Sequence, residues 1–171
     1  MTEFAFISLG SNISPETNLP LAIKALSDAG ELMGVSKAYQ NPAVGPTPQA
    51  DFVNAAALLL TELPALELRQ HLRRIEAELG RVRTTDKYAP RTIDLDLCLL
   101  GRQVHHTPDL QIPDLGILKH PHLAIPLAEL MPTFHHPALG AALGDIADRL
   151  RSDAALTLRE DLQLAPWGYT V

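Results

Sequence analysis

One cysteine, Cys98, stands among 171 residues, so no disulfide can close within the chain and a small scaffold stapled by disulfides is excluded. The composition fits a reducing compartment, and a cytoplasmic location is expected. Aromatic residues make up 5 % of the chain, whereas the sheet modules that bind single-stranded RNA rely on exposed aromatics and a basic surface. Cations are also in deficit: 14 Lys plus Arg face 20 Asp plus Glu, for a net charge of -6. That balance is a poor basis for gripping nucleic acid or an anionic membrane, so neither partner is expected, and a polyanionic ligand would need a local basic patch. The longest apolar stretches, 55–60 and 95–100, the second interrupted by Asp96, fall far short of the roughly 20 residues of a membrane span. The opening Met1-Thr2-Glu3-Phe4-Ala5-Phe6 lacks the basic head and apolar stretch of a signal peptide, and no export is expected. There is no G-x-x-x-x-G-K-[ST] loop and no G-x-S-x-G elbow, which excludes a P-loop kinase and leaves covalent catalysis without a nucleophile. Cys98 lies in an apolar stretch where packing is its expected role.

What is present suffices for one core: 46 % of the residues are hydrophobic in a chain of 171. We read 1–150 as one domain and 151–171, which holds the single Trp167, as a tail of undetermined packing. Alternation predicts a strand over 3–9, and apolar residues at helical spacing predict a helix over 19–29 ending at Gly30. A second strand is expected over 31–40, followed by a proline-braced loop from Asn41 to Pro48. A buried strand over 52–60 precedes a helix opened by Pro64 and closed at Gly80, and a strand over 92–100 follows. The order β-α-β-β-α-β predicts an α+β fold with a ferredoxin-like core, its helices on one face of a mixed sheet. A short strand over 103–106 and helices over 122–131 and 143–150 are expected to cover the second face, giving α-β-α layers.

The sharpest chemical feature is Pro90-Arg91-Thr92-Ile93-Asp94-Leu95-Asp96-Leu97. Side chains alternate across a strand, so Asp94 and Asp96 project from one face while Ile93, Leu95 and Leu97 project from the other. Adjacent carboxylates repel unless a cation lies between them, and oxygen ligation by one or two carboxylates plus phosphate oxygens and water suits Mg2+. Arg81, Arg83, Lys87 and Arg91 immediately precede the acids, on a segment without apolar periodicity. A metal-bound polyphosphate would bridge such acids and cations, with the arginines forking onto phosphate oxygens. A salt-bridge network between loop and strand, or a solvated strand face, would use the same residues. Three close histidine pairs, His105-His106, His120-x-His122 and His135-His136, have no acidic or cysteine partner at a familiar zinc spacing and read as surface or helix-end residues. A divalent-metal hydrolase built on Asp94, Asp96 and a histidine pair is the alternative from another class.

At Lys87-Tyr88-Ala89-Pro90-Arg91-Thr92-Ile93-Asp94-Leu95-Asp96-Leu97 the chain resembles the 6-hydroxymethyl-7,8-dihydropterin pyrophosphokinase family of folate biosynthesis. The resemblance extends to Ser8-Leu9-Gly10-Ser11-Asn12, Asn41-Pro42-Ala43-Val44-Gly45, Asp51-Phe52-Val53-Asn54-Ala55-Ala56 and Glu76-Ala77-Glu78-Leu79-Gly80-Arg81-Val82-Arg83, covering Phe4 to about Pro132. It implies transfer of pyrophosphate from ATP, the co-substrate, to the pterin hydroxymethyl, with release of AMP. It also implies that Asp94 and Asp96 hold two Mg2+ ions and that Arg81 and Arg91 contact the phosphates. Glu76, Arg83, Tyr88 and Leu97 would serve the nucleotide and the loop that closes on it. Asn41, Pro42, Val44, Gly45, Phe52, Asn54 and His122 would hold the pterin, where an amide matches the donor and acceptor edge and an aromatic ring stacks on the bicycle. Small-molecule substrates and a monomer or weak homodimer are the partners expected.

The chain departs from the family pattern downstream. Asp114 follows Ile112-Pro113 where the family usually has His, and His120-Pro121-His122 stands where it has Arg-x-Phe. Asp114 would repel a triphosphate, and His120 is a weaker cation than Arg near neutral pH. A paralogue acting on a different pterin, or with reduced activity, is the alternative these positions raise.

Overall fold

The computed structural model describes residues 1–152 and 154–164. The main sheet contains β1 (Glu3–Ser11), β2 (Glu31–Val35), β3 (Tyr39–Asn41), β4 (Phe52–Thr61), β5 (Asp94–Leu100) and β8 (Thr157–Leu158), in the order β5-β1-β4-β3-β8 with β2 also on β4. Helices α1 (Pro15–Leu26) and α2 (Ala65–Glu78) lie on one face, and α3 (Pro121–Leu130) and α4 (Leu143–Arg151) on the other. A separate hairpin joins β6 (His105–Thr107) to β7 (Leu110–Ile112). This is the expected ferredoxin-like core in α-β-α layers, with one correction. Every pairing among the described strands is antiparallel, so the sheet is not mixed, because each helix or hairpin returns the chain beside a strand of opposite direction.

Alternation along β1 divides the core. Ala5, Ile7 and Leu9 pack with the α1 and α2 residues Leu19, Leu26, Leu68 and Leu72, while Phe6 packs with Ala124, Leu127, Leu143 and Ile146 of α3 and α4. Leu95 and Leu97 join the first cluster, leaving Asp94 and Asp96 on the α3 side of the sheet. A register shift opposite Phe6 and Ile7 accommodates Cys98 as an extra residue, and the thiol is wholly buried. Burial pushes that thiol well above its ordinary range, which fits the packing role.

Several boundaries differ from those read off the sequence. The single strand expected over 31–40 is two, since the Ser36 hydroxyl accepts the Ala56 N–H at 2.8 Å and interrupts the ladder between β2 and β3. Helix α1 begins earlier, with Pro15 in its first turn, where a missing N–H is no loss. Of the tail, Thr157–Leu158 pairs with β3, and Arg159 donates to Gln40 Oε1 at 3.1 Å and Glu16 Oε1 at 3.1 Å. Trp167 lies outside the described residues. Among the described residues no helix is long and apolar enough to cross a membrane.

Candidate active site

Strand register assembles the site's floor. Asp94 of β5 stands opposite Gly10 of β1, and Gly10 opposite Asn54 of β4, so the three form a row across the sheet. Two pairings along β4, Phe52 faces Asn41, whose side-chain oxygen accepts a hydrogen bond from the Asn54 amide. A Cβ on Gly10 would come within 3.0 Å of Asn54 Oδ1, so glycine leaves the space above the row open. The resulting cavity holds about 280 Å³ and is lined by Asn41, Phe52, Asn54, Tyr88, Asp96 and His122, with Pro42, Val44, Arg91 and Asp94 also on its walls. Gly45 lies outside that lining but against Tyr88, to which its Cα offers an approach that any Cβ would crowd at 3.0 Å.

A second cavity of about 360 Å³ opens on the other side of the same two carboxylates, lined by Arg69, Arg73 and Arg83 and by Asp94, Asp96, Leu97 and Asp114. Asp94 and Asp96 are thus common to both cavities. Sequence reasoning did not single out Arg69 and Arg73. Their spacing of four residues beside the buried Leu68 and Leu72 puts both on one polar helix face, the only signal available. Tyr88 lines the first cavity, with its ring packed over Gly45.

Behind the carboxylates runs a compact ionic network. Glu76, 1 % exposed on α2, accepts the Leu95 N–H at 2.8 Å, Arg81 Nη1 at 3.3 Å and Arg83 Nη2 at 2.5 Å. Burial pushes the Glu76 carboxyl up, and the Leu95 N–H and both guanidiniums pull against that. Arg81 also reaches Asp94 Oδ1 at 2.6 Å and the Ile93 carbonyl at 3.0 Å, while Arg91 reaches Asp94 Oδ2 at 2.7 Å and the Lys87 carbonyl at 2.6 Å. Both oxygens of Asp94 are therefore charge-compensated. Asp96 has no ion-pair partner among the described residues. It faces the open cleft, yet the surrounding protein removes enough water that desolvation is the first cause raising its carboxyl to about 7, followed by the charges of Asp94, Asp114 and Glu76. An acidic cluster short of one cation is the electrostatic condition a bound divalent ion relieves.

Asp114, which departs from the family pattern, caps the 3-10 turn at Leu115–Leu118 by accepting the Gly116 N–H at 2.7 Å. His120 and His122 stack with ring centroids 5.2 Å apart at the start of α3. Desolvation first, and the neighbouring His120 second, lower His122 to about 4, so a neutral ring faces the first cavity at physiological pH. Three of the other histidines are held elsewhere: His105 by Gln103, His106 by Gln111, and His136 buried against the Ala138 N–H. No group of three or more His, Cys, Asp or Glu suited to a metal ion occurs among the described residues.

The comparisons with known proteins agree with one another. The family model for 7,8-dihydro-6-hydroxymethylpterin-pyrophosphokinase (HPPK) matches residues 6–132. The chain is 39 % identical over 129 residues to a 2-amino-4-hydroxy-6-hydroxymethyldihydropteridine pyrophosphokinase of Haemophilus influenzae, covering 74 % of this chain and 80 % of that protein. It is 36 % identical over 140 residues to the enzyme of the same description from Pseudomonas aeruginosa, covering 80 % and 86 %. Among solved structures, an HPPK-DHPS of Plasmodium falciparum superposes with a TM-score of 0.71 at 12 % identity, over 89 % of this chain and 45 % of that one. The chain spans less than half of that longer protein, and the likeness speaks for the fold. With its motifs, register and relatives in accord, the chain belongs to the HPPK family, the pyrophosphokinases of folate biosynthesis.

Proposed function

We propose that the two cavities are the two halves of one active site: the first takes 6-hydroxymethyl-7,8-dihydropterin and the second takes ATP, the phosphoryl donor of the family. The observation that carries this reading is that Asp94 and Asp96 border both cavities. The transferred group must pass between donor and acceptor at such a junction. The pterin hydroxyl oxygen attacks the β-phosphorus of ATP. The bond from that phosphorus to the oxygen it shares with the α-phosphate breaks, AMP leaves with that oxygen, and the hydroxyl proton is released.

Each residue then has a physical task. Phe52 and the neutral His122 offer flat faces to the bicyclic ring, and Asn54, aligned by Asn41, offers both a donor and an acceptor to its edge. Pro42, Val44 and Gly45 shape the mouth, and Tyr88 closes it. Arg83, with Arg69 and Arg73, gives the second cavity the cations a polyphosphate needs. Arg81 and Arg91 hold Asp94 in place and lie beside the junction, where charge develops on the transferring group. Asp94 and Asp96 would hold two Mg2+ ions, a donor set that fits hard oxygen ligation completed by phosphate and water. When bound, the ions neutralise phosphate charge and align the in-line displacement. Glu76 positions Arg81 and Arg83. We further propose that residues 1–150 act as one catalytic domain in the cytoplasm.

The test is product identity. Incubation with ATP, Mg2+ and 6-hydroxymethyl-7,8-dihydropterin is expected to yield AMP and the pterin pyrophosphate in equal amounts; ADP as product, or no turnover, would refute the reading. A panel of other pterins at matched concentration checks the acceptor, which is expected to be the hydroxymethyl compound.

A further inference from the structure

Asn12 follows the last residue of β1 at 6 % exposure, and its side chain is engaged with two different loops. Its Nδ2 donates to Gln49 Oε1 at 2.7 Å and to the Ala50 carbonyl at 3.1 Å, while its Oδ1 accepts the Arg91 N–H at 2.7 Å. The backbone N–H groups of Asn12 and Ile13 both donate to the Arg91 carbonyl, at 3.1 and 3.2 Å. Gln49 then donates from Nε2 to the Tyr88 carbonyl at 2.7 Å. The segment carrying Asn41, Pro42 and Val44 is thereby tied to the segment carrying Tyr88 and Arg91, although they stand 39 residues apart at the Gln49–Tyr88 bond.

Other anchors hold each segment separately, Asp94 at 2.7 Å on Arg91 and Gln40 at 2.9 Å on Asp51, but the Asn12 and Gln49 side chains are bonded to both segments. Between Asn41 and Phe52 the chain pairs with no strand, and its exposed prolines Pro42, Pro46 and Pro48 cannot donate a backbone bond. An apolar residue at position 12 could fill the same space but would not fix where Gln49, Ala50 and Arg91 stand. Two buried or half-buried amides with directed bonds do fix it.

We propose that Asn12 and Gln49 are positioning residues, an amide latch that sets Tyr88 and Arg91 over the first cavity in register with the 41–51 loop. The inference rests on the reading that this cavity takes the acceptor. Neither amide is in the cavity lining, so the latch acts through the residues it holds.

Wild type is compared with Gln49→Ala and Gln49→Glu by hydrogen exchange without ligands, by thermal unfolding, and by steady-state AMP release per folded molecule. Gln49→Glu keeps the acceptor for Asn12 but replaces the donor to Tyr88, so its melting temperature should stay within a few degrees of wild type. Both variants should exchange faster across residues 84–92, by about 5- to 10-fold, the worth of one lost hydrogen bond. Both should lose about 10-fold in kcat/KM for the pterin. Unchanged exchange over 84–92 would overturn the latch itself. Faster exchange with kinetic constants within 2-fold of wild type, or a kinetic loss in Gln49→Ala alone that follows its melting temperature, would overturn its positioning role. A wild-type protein that releases no AMP would instead refute the function proposed above, while the exchange comparison still decides whether the latch exists.

Discussion

Replacing Glu76 by alanine removes the acceptor that three donors share. The Leu95 N–H at 2.8 Å would be buried without a partner, Arg81 would keep only Asp94 and the Ile93 carbonyl, and Arg83 would lose its 2.5 Å contact. Removing one member of a buried ion pair costs about 3–5 kcal/mol, and a stranded backbone N–H accounts for about 1–3 kcal/mol of such a penalty. Glu76 is 1 % exposed and Arg81 is 10 % exposed in its side chain, so water can rescue little. For a domain of this size, each kcal/mol moves the midpoint by about 2–4 °C, which predicts a fall on the order of 10 °C for Glu76→Ala. Glu76→Gln keeps an acceptor for Leu95 while removing the charge, and should fall by roughly half as much. Thermal unfolding followed by circular dichroism, with urea unfolding alongside, reads both. A Glu76→Ala protein melting within about 2 °C of wild type would refute the idea that this carboxylate organises the network.

Other outcomes follow from the site's walls. His122 is held near 4 against an ordinary 6.5, so its neutral form is favoured by folding; that contribution, about 3 kcal/mol at most, is complete above pH 6.5 and is lost as pH falls toward 4. Urea unfolding at pH 7 and pH 4.5 should show a smaller loss for His122→Leu than for wild type, and equal losses would contradict the burial argument. Gly45 adopts φ 142° and has Tyr88 within 3.0 Å of where a Cβ would stand. Gly45→Ala should therefore raise the pterin KM by about 10-fold or more, through strain and displacement of the ring, while an exposed loop leaves the melting temperature within about 2 °C. An unchanged KM would show that Tyr88 has no part in closing the cavity.

Much of this fold and site is legible in the sequence, for physical reasons. The period-2 and period-3.6 runs of β1, α1, β4, α2 and β5 are long enough to declare themselves, and their order selects the ferredoxin-like topology. Strands β7 and β8 have three and two residues, too short to show a period. The break between β2 and β3 depends on a Ser36 hydroxyl meeting Ala56, 20 residues away, which no local pattern contains. In the site, Asp94, Asp96 and the arginines before them were readable because strand alternation and charge density are local properties. Arg69 and Arg73 looked like any solvated helix face until α2 was seen to border the second cavity. Asn12 and Gln49 matter through tertiary contacts alone, and Gly10 became part of the floor only once register aligned it with Asp94 and Asn54.

The central claim is that Asp94 and Asp96, shared by both cavities, carry the transfer. It is tested most directly by AMP release in Mg2+ from ATP and 6-hydroxymethyl-7,8-dihydropterin, with wild type beside Asp94→Ala and Asp96→Ala. Each variant is predicted to lose at least about 100-fold in rate, because each withdraws a ligand from the charge-neutralising site. Turnover near wild type in either folded variant would contradict the account.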